Sequence, residues 1–128
     1  MRKYIVILVS IIMIMGLTGC EEQSMSYTQI SMEEAVAMME KETDYIILDV
    51  RTAEEFNEKH IPDAINIPNE TIGSEKLAEL PDENQLIFVY CRSGNRSKQA
   101  SEKLAALGYT KIYEFGGIND WTGETVSE

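Results

Sequence analysis

Residues 86–90 read Leu-Ile-Phe-Val-Tyr, an unbroken apolar run, and a cysteine, Cys91, follows directly. A run this short and continuous is the pattern of a strand buried on both faces, as in parallel sheets covered by helices on each side. A second run, Tyr45-Ile46-Ile47-Leu48-Asp49-Val50, is broken only by one acid. Ala64–Ile67 alternates between Pro62 and Pro68 and suits a short strand, and Lys111–Phe115 reads as the last strand. Helical signals lie between these runs. Ser31 with Glu34 forms a capping-box pattern that opens a helix over Met32–Lys41, and Thr52 with Glu55 opens another from Ala53 to about Lys59. A helix is expected within Ser74–Leu80, ended by Pro81. Another is expected from about Arg96 to Leu107, with Ala100, Leu104 and Leu107 on its inner face and Gly108 as its stop. Ile118–Trp121 reads as a turn or short helix. Strands alternating with helices predict an α/β domain with a largely parallel sheet.

The N-terminus has a separate logic. Arg2-Lys3 is a short positive segment, and Tyr4–Met15 is an apolar run interrupted only by Ser10. Twelve residues suit a signal-peptide core and fall short of the roughly 20 that span a bilayer. Leu17-Thr18-Gly19-Cys20 then resembles the bacterial lipobox, in which the cysteine is lipidated and becomes the new N-terminus. The expected organisation is a signal peptide over 1–19, a lipidated Cys20 with a short polar linker through 26, and one domain over 27–128. The location that follows is the extracytoplasmic face of the cell membrane, with the domain tethered close to it.

Removing the leader takes away both its basic residues and no acid, leaving 9 Lys+Arg against 22 Asp+Glu and a net charge of −13. Such a surface repels nucleic acid and anionic headgroups, so no nucleic-acid partner is expected. The chain has two cysteines and one histidine, His60, too few for a tetrahedral Cys/His zinc site. No metal is implied. With Cys20 assigned to the lipid, Cys91 is a free thiol.

Cys91 ends a buried strand and enters the turn Arg92-Ser93-Gly94-Asn95 before a helix. Ligands of open α/β sheets bind at the carboxyl ends of strands, and turn amides and a helix N-terminus favour negative charge there. Arg92 and Arg96 are expected to add two positive charges, and Gly94 to let the loop fold back around the sulfur. Together these predict a thiol pKa below that of a free cysteine.

At these residues the chain resembles the rhodanese (sulfurtransferase) family, whose active loop commonly reads Cys-Arg-x-Gly-x-Arg-Ser; here it is Cys91-Arg92-Ser93-Gly94-Asn95-Arg96-Ser97. Leu48-Asp49-Val50-Arg51 with Glu54-Glu55-Phe56 resembles the family's first box. His60-Ile61-Pro62-Asp63-Ala64-Ile65-Asn66-Ile67-Pro68 resembles the second, with Lys59 and Asp63 where two glycines are usual. Leu107-Gly108-Tyr109 and Gly116-Gly117-Ile118 with Trp121 complete the resemblance, which spans about Tyr27 to Trp121. It implies a rhodanese-like fold, a five-stranded, mostly parallel sheet flanked by helices. It also implies sulfur transfer from a small-molecule donor such as thiosulfate to a thiol or cyanide through a Cys91 persulfide, without a cofactor. The amides of residues 92 to 96 would cradle the outer sulfur, with Arg92 and Arg96 attracting an anionic donor. Asp49 and Arg51 are expected to form a supporting ion pair, and His60 a structural hydrogen bond. An exposed, low-pKa thiol outside the cytoplasm is open to oxidation, so an extracytoplasmic thiol reductant is a further expected partner.

Two other readings compete. A tyrosine-phosphatase-like enzyme also places cysteine between strand and helix, but with five residues before its phosphate-binding arginine; four separate Cys91 from Arg96. A non-catalytic module that only relays or binds sulfur on the same fold is the second.

Overall fold

The computed structural model describes residues 26–128, so the leader, Cys20 and most of the linker lie outside the described residues. Five strands form one parallel sheet: β1 (Thr28–Gln29), β2 (Tyr45–Asp49), β3 (Ile65–Asn66), β4 (Leu86–Cys91) and β5 (Lys111–Gly117), in the order β1-β5-β4-β2-β3. The helices are α1 (Met32–Lys41), α2 (Ala53–Glu58) and α3 (Asn95–Ala106). This is the α/β architecture that the alternating runs predict.

Both predicted capping boxes form. The Ser31 and Thr52 hydroxyls accept the N–H of Glu34 and Glu55, whose carboxylates accept the N–H of Ser31 and Thr52 in return. Each satisfies backbone donors that a helix start would otherwise leave without partners.

The central strand β4 divides the core by its alternation. Ile87, Val89 and Cys91 face the cluster built with Ala100 and Leu104 of α3, while Phe88 and Tyr90 face the cluster holding Ala35 of α1. Phe56 of α2 packs on that second side. Phe88 is completely buried, in edge contact with Tyr45 and Phe115 at ring separations of 5.5 and 6.4 Å. Because α3 lies on the same side as Cys91, its first turn is brought against the sulfur.

One predicted helix is absent. Ser74–Leu80 forms turns, and the nearest helical turn is a 3₁₀ segment at Asn69–Thr71. Tyr109 explains the difference: its hydroxyl accepts the Leu77 N–H at 3.1 Å and donates to the Leu80 carbonyl at 2.6 Å. Backbone groups that a helix would pair locally are held by a residue 29 and 32 positions away, and Leu80 is buried in the process. A helix of so few residues has little nucleation in its favour. The third strand is also shorter than Ala64–Ile67, because only Leu48 with Ile65 and Asp49 with Asn66 pair in register.

Phe88→Ala should cost about 3–5 kcal/mol, since it empties a site on the central strand that is enclosed on every side. Denaturant unfolding of the two proteins measures it; a loss below about 1 kcal/mol would show that this face of the sheet collapses readily.

Candidate active site

Cys91 is the last residue of β4 and is 1% exposed, beneath a loop whose Arg92, Ser93 and Asn95 are open to solvent. The chain reverses here because Gly94 takes φ +116°, in the left-handed region that favours glycine, and serves as the N-cap of α3. The turn aims backbone donors at the sulfur: the Gly94 N–H donates to Cys91 Sγ at 3.0 Å. Cys91 Sγ in turn donates to Ser97 Oγ at 3.4 Å. Gly117 lies opposite Cys91 in the register of β5, just past a shift in the pairing. Its backbone is ordinary extended chain at φ −145°, so glycine is required there for space: a Cβ would overlap the Arg92 carbonyl and the Ser93 nitrogen. The Asn119 N–H then holds the Arg92 carbonyl at 3.1 Å.

Burial pushes the Cys91 thiol up, yet its pKa lies below the ordinary value. The Ser97 hydroxyl and the backbone N–H groups of Ser97, Gly94 and Ser93 favour the thiolate and outweigh burial.

The arginines differ from the sequence expectation. Arg96 turns its guanidinium to Glu55, with Nη1 and Nη2 at 2.7 and 3.1 Å from the two carboxylate oxygens. Arg92 is largely exposed and reaches the same carboxylate at 4.0 Å. Hydrogen bonds therefore dominate the lowering of the thiol pKa, and Glu55 offsets the two charges expected to do so. The Arg96 pair instead fastens α3 to α2 across the mouth of the loop. Glu55, held by Arg96 against the cost of burial and helped by Thr52, has its pKa lowered to about 2. Beside this mouth an open pocket of about 130 Å³ is lined by Arg51, Glu55, Lys59, Arg92, Ile118 and Asn119. A larger cavity of about 280 Å³ lies at the other end of β4 and β5, around Glu42, Asp44, Asn84 and Lys111, far from the thiol.

Among the described residues no group of three or more His, Cys, Asp or Glu side chains could hold a metal. The family model for the rhodanese-like domain matches residues 31–124. The chain belongs to the rhodanese-like family. It is 38% identical over 73 residues to the thiosulfate sulfurtransferase PspE of Escherichia coli, covering 57% of this chain and 70% of that protein. It is 35% identical over 105 residues to the putative sulfur carrier protein YrkF of Bacillus subtilis, covering 81% of this chain but only 56% of YrkF. Among solved structures, a rhodanese with anions from E. coli superposes with a TM-score of 0.60 at 36% identity, covering 66% of this chain and 99% of that one.

The second rhodanese box departs from the usual glycines without distorting the fold. Asp63 takes φ +72°, a left-handed conformation that Asp tolerates better than most residues. Lys59 sits at φ −169°, ordinary extended chain that needs no glycine. Asp49 and Arg51 lie on the side of the sheet facing Tyr90, and Arg51 also lines the pocket beside the loop mouth. Arg51 Nη2 meets Asp49 Oδ2 at 2.6 Å, and both are nearly inaccessible. Arg51 also donates to the Lys59 carbonyl at 2.6 Å, so the pair ties β2 to the end of α2. His60 stacks on Phe56 with ring centroids 3.7 Å apart, and its Nδ1 lies 2.8 Å from the Phe56 carbonyl.

Three residues absent from the expected site belong to its surroundings: Glu55, Ser97 and Glu114. Glu114 is 2% exposed and its Oε2 accepts from Ser97 Oγ at 2.5 Å. Its signal in the sequence is an acid sharing the inward alternation of Ile112 within β5, as Asp49 does among apolar neighbours in β2.

The depressed Glu55 carboxyl gives a pH-dependent contribution to stability. It is fully present above the unfolded carboxyl value of about 4.3 and is lost as pH falls through about 2. Glu55→Gln should therefore lower the thermal midpoint near neutrality, with the gap to the parent closing at about pH 2. Equal midpoints at neutral pH would mean that the Arg96 pair does not hold the loop mouth.

Proposed function

We propose that this protein is a sulfurtransferase that carries sulfane sulfur as a persulfide on Cys91. The observation that carries the reading is the Gly94 N–H donating to Cys91 Sγ at 3.0 Å inside a loop whose other amides also favour negative charge on sulfur. The Cys91 thiolate attacks the outer sulfur of a donor such as thiosulfate. A new S–S bond forms, the donor's S–S bond breaks, and sulfite leaves with the electron pair. The outer sulfur of the resulting persulfide is anionic, and the loop amides stabilise it. A thiolate or cyanide then attacks that sulfur and Cys91 leaves as a thiolate. The transfer is divided into two displacements on one nucleophile, which gives ping-pong kinetics. No oxidant or cofactor enters either step.

The loop supports sulfur rather than phosphoryl chemistry. Arg96 is engaged with Glu55 instead of turning into the loop, which leaves the cradle to backbone amides. The sulfur lies below exposed Arg92, Ser93 and Asn95, which favours a donor that presents a single terminal atom.

Incubation with thiosulfate should add one sulfur atom to the intact mass, and cyanide should remove it as thiocyanate over many turnovers. Cys91→Ser should reduce both to background. Turnover by that variant overturns the assignment, and loading without turnover favours a sulfur carrier over an enzyme.

We further propose lipid anchoring at Cys20, on the strength of Leu17-Thr18-Gly19-Cys20 after an apolar leader. The domain would then work at the extracytoplasmic face of the membrane, where a thiol reductant keeps Cys91 available. The native protein should partition into detergent, and Cys20→Ala should block maturation. A soluble native protein beginning downstream of Cys20 would exclude the anchor.

A further inference from the structure

Lys59 stands where the second family box usually has glycine, although its extended backbone at φ −169° needs none. Any side chain fits such a backbone, and here it is a cation in a strongly acidic domain. The position is fixed by its main chain. The Lys59 carbonyl accepts from Arg51 Nη2 at 2.6 Å, and its N–H donates to the Glu55 carbonyl at 3.3 Å. The next N–H, that of His60, donates to the Val126 carbonyl at 2.8 Å. The exposed Lys59 side chain borders the pocket of about 130 Å³ beside the loop mouth, with Glu58, Arg92 and Asn119.

Most charges around that pocket cancel in pairs. Arg51 is matched by Asp49, and Glu55 by Arg96. Arg92 lies 4.0 Å from Glu55 and is largely exposed, and among the described residues Lys59 has no ion pair. Glu58 offsets one of these two cations. The pocket therefore keeps one net positive charge, with N–H donors on Lys59 and Arg92 to spare. It also lies to one side of the sulfur. Its walls come from α2, Lys59, Arg92 and the 3₁₀ segment Ile118–Asp120, whereas the groups that meet the sulfur belong to Ser93, Gly94 and Ser97. In thiosulfate the charged oxygens sit on the sulfur bonded to the one that reacts, so they stay over the loop. In a thiol bearing a carboxylate, the charge is several bonds from the reacting sulfur and can reach sideways.

We propose that Lys59 is a specificity-determining residue that forms, with Arg92, an anion subsite selecting a small thiol with a carboxylate as the sulfur acceptor. The role rests on Cys91 carrying the sulfur, and it defines the class of molecule that removes it. The acceptor thiolate attacks the outer sulfur, a new S–S bond forms, the bond to Cys91 breaks, and Cys91 leaves as a thiolate. The carboxylate stays with Lys59 and Arg92 and takes no part in the exchange.

The test compares kcat/KM for 3-mercaptopropionate, 2-mercaptoethanol and cysteamine, short thiols whose far ends are anionic, neutral and cationic. In ping-pong kinetics this constant reports the second displacement alone, and comparing each thiol with itself across variants removes differences in thiol pKa. Lys59→Ala should lower the ratio of 3-mercaptopropionate to 2-mercaptoethanol roughly threefold to fivefold at low salt, the size of one exposed charge pair. Lys59→Arg should restore it. Lys59→Glu should lower it further and raise the ratio of cysteamine to 2-mercaptoethanol. The parent's preference should shrink as salt rises. Equal ratios in the parent and Lys59→Ala overturn the proposal, and a thiosulfate KM that rises at the same time assigns the subsite to the donor instead. Alkylation of Cys91 in the full chain by iodoacetate and by iodoacetamide reads the subsite without any sulfur chemistry. The iodoacetate-to-iodoacetamide rate ratio should fall in Lys59→Ala, and where no acceptor turns over, an unchanged ratio overturns the subsite. A ratio that falls while thiosulfate leaves no persulfide strikes the sulfur-transfer reading alone.

Discussion

The site depends on one close approach between backbones. Residue 117 must have no side chain, because the Arg92 carbonyl and the Ser93 nitrogen occupy the space where a Cβ would lie. The pairing of β4 with β5 shifts register between Val89 and Cys91, which brings Cys91 level with Gly117. The Arg92 peptide is thereby pressed against β5, and the Asn119 N–H secures its carbonyl. With that peptide fixed, Gly94 can turn at positive φ and direct its N–H at the sulfur. Amide donors stabilise an anion without reorganising only when they are held rigidly, and the β5 backbone supplies that rigidity. The glycine pair is therefore part of the thiol's electrostatics although it carries no charge.

The sheet places its two fully enclosed acids on opposite faces and treats them differently. Asp49 is neutralised at once by Arg51, with the Tyr90 hydroxyl and the stacked Phe56 and His60 packed nearby on the same side. That cluster holds the first and second family boxes together. Glu114 is surrounded by neutral donors and sits two hydrogen bonds from Cys91. The first acid is matched by a charge, the second by dipoles alone. Charge at the loop mouth follows the same division: Glu55 engages Arg96 and draws Arg92, so these cations organise the entrance more than they polarise the sulfur.

Local sequence made most of the scaffold legible. The β4 run, the inner face of α3 and the two capping boxes are signals whose physical partners lie within a few residues. What the sequence did not disclose involves pairings across long separations. Ser74–Leu80 has an acceptable helical composition, but Tyr109, which follows α3 in the chain, captures the backbone of Leu77 and Leu80. Arg92 and Arg96 read as free charges beside a cysteine, because nothing local indicates that Glu55, 41 residues before Arg96, faces them. Glu55 itself was visible as the partner of Thr52 in a cap and as part of the first family box, with no sign of Arg96. Its carboxylate performs both tasks: Oε1 accepts the Thr52 N–H and lies in the Arg96 fork.

Sulfane-sulfur transfer makes an unusual demand on a protein core. In the proposed cycle the sulfur would move without net oxidation of the enzyme, the nucleophile would be the cysteine itself, and the species at the loop would be anionic. The site would therefore have to hold negative charge in a place almost without water. Acidic side chains are scattered over the surface, but the groups that meet the sulfur are amides and a hydroxyl, which do not change charge with pH. A cation paired directly with the thiolate would stabilise the resting anion and make it a poorer nucleophile, since nucleophilicity falls as thiol pKa falls. Holding Arg96 on Glu55 and leaving the sulfur to dipoles keeps the thiol moderately activated.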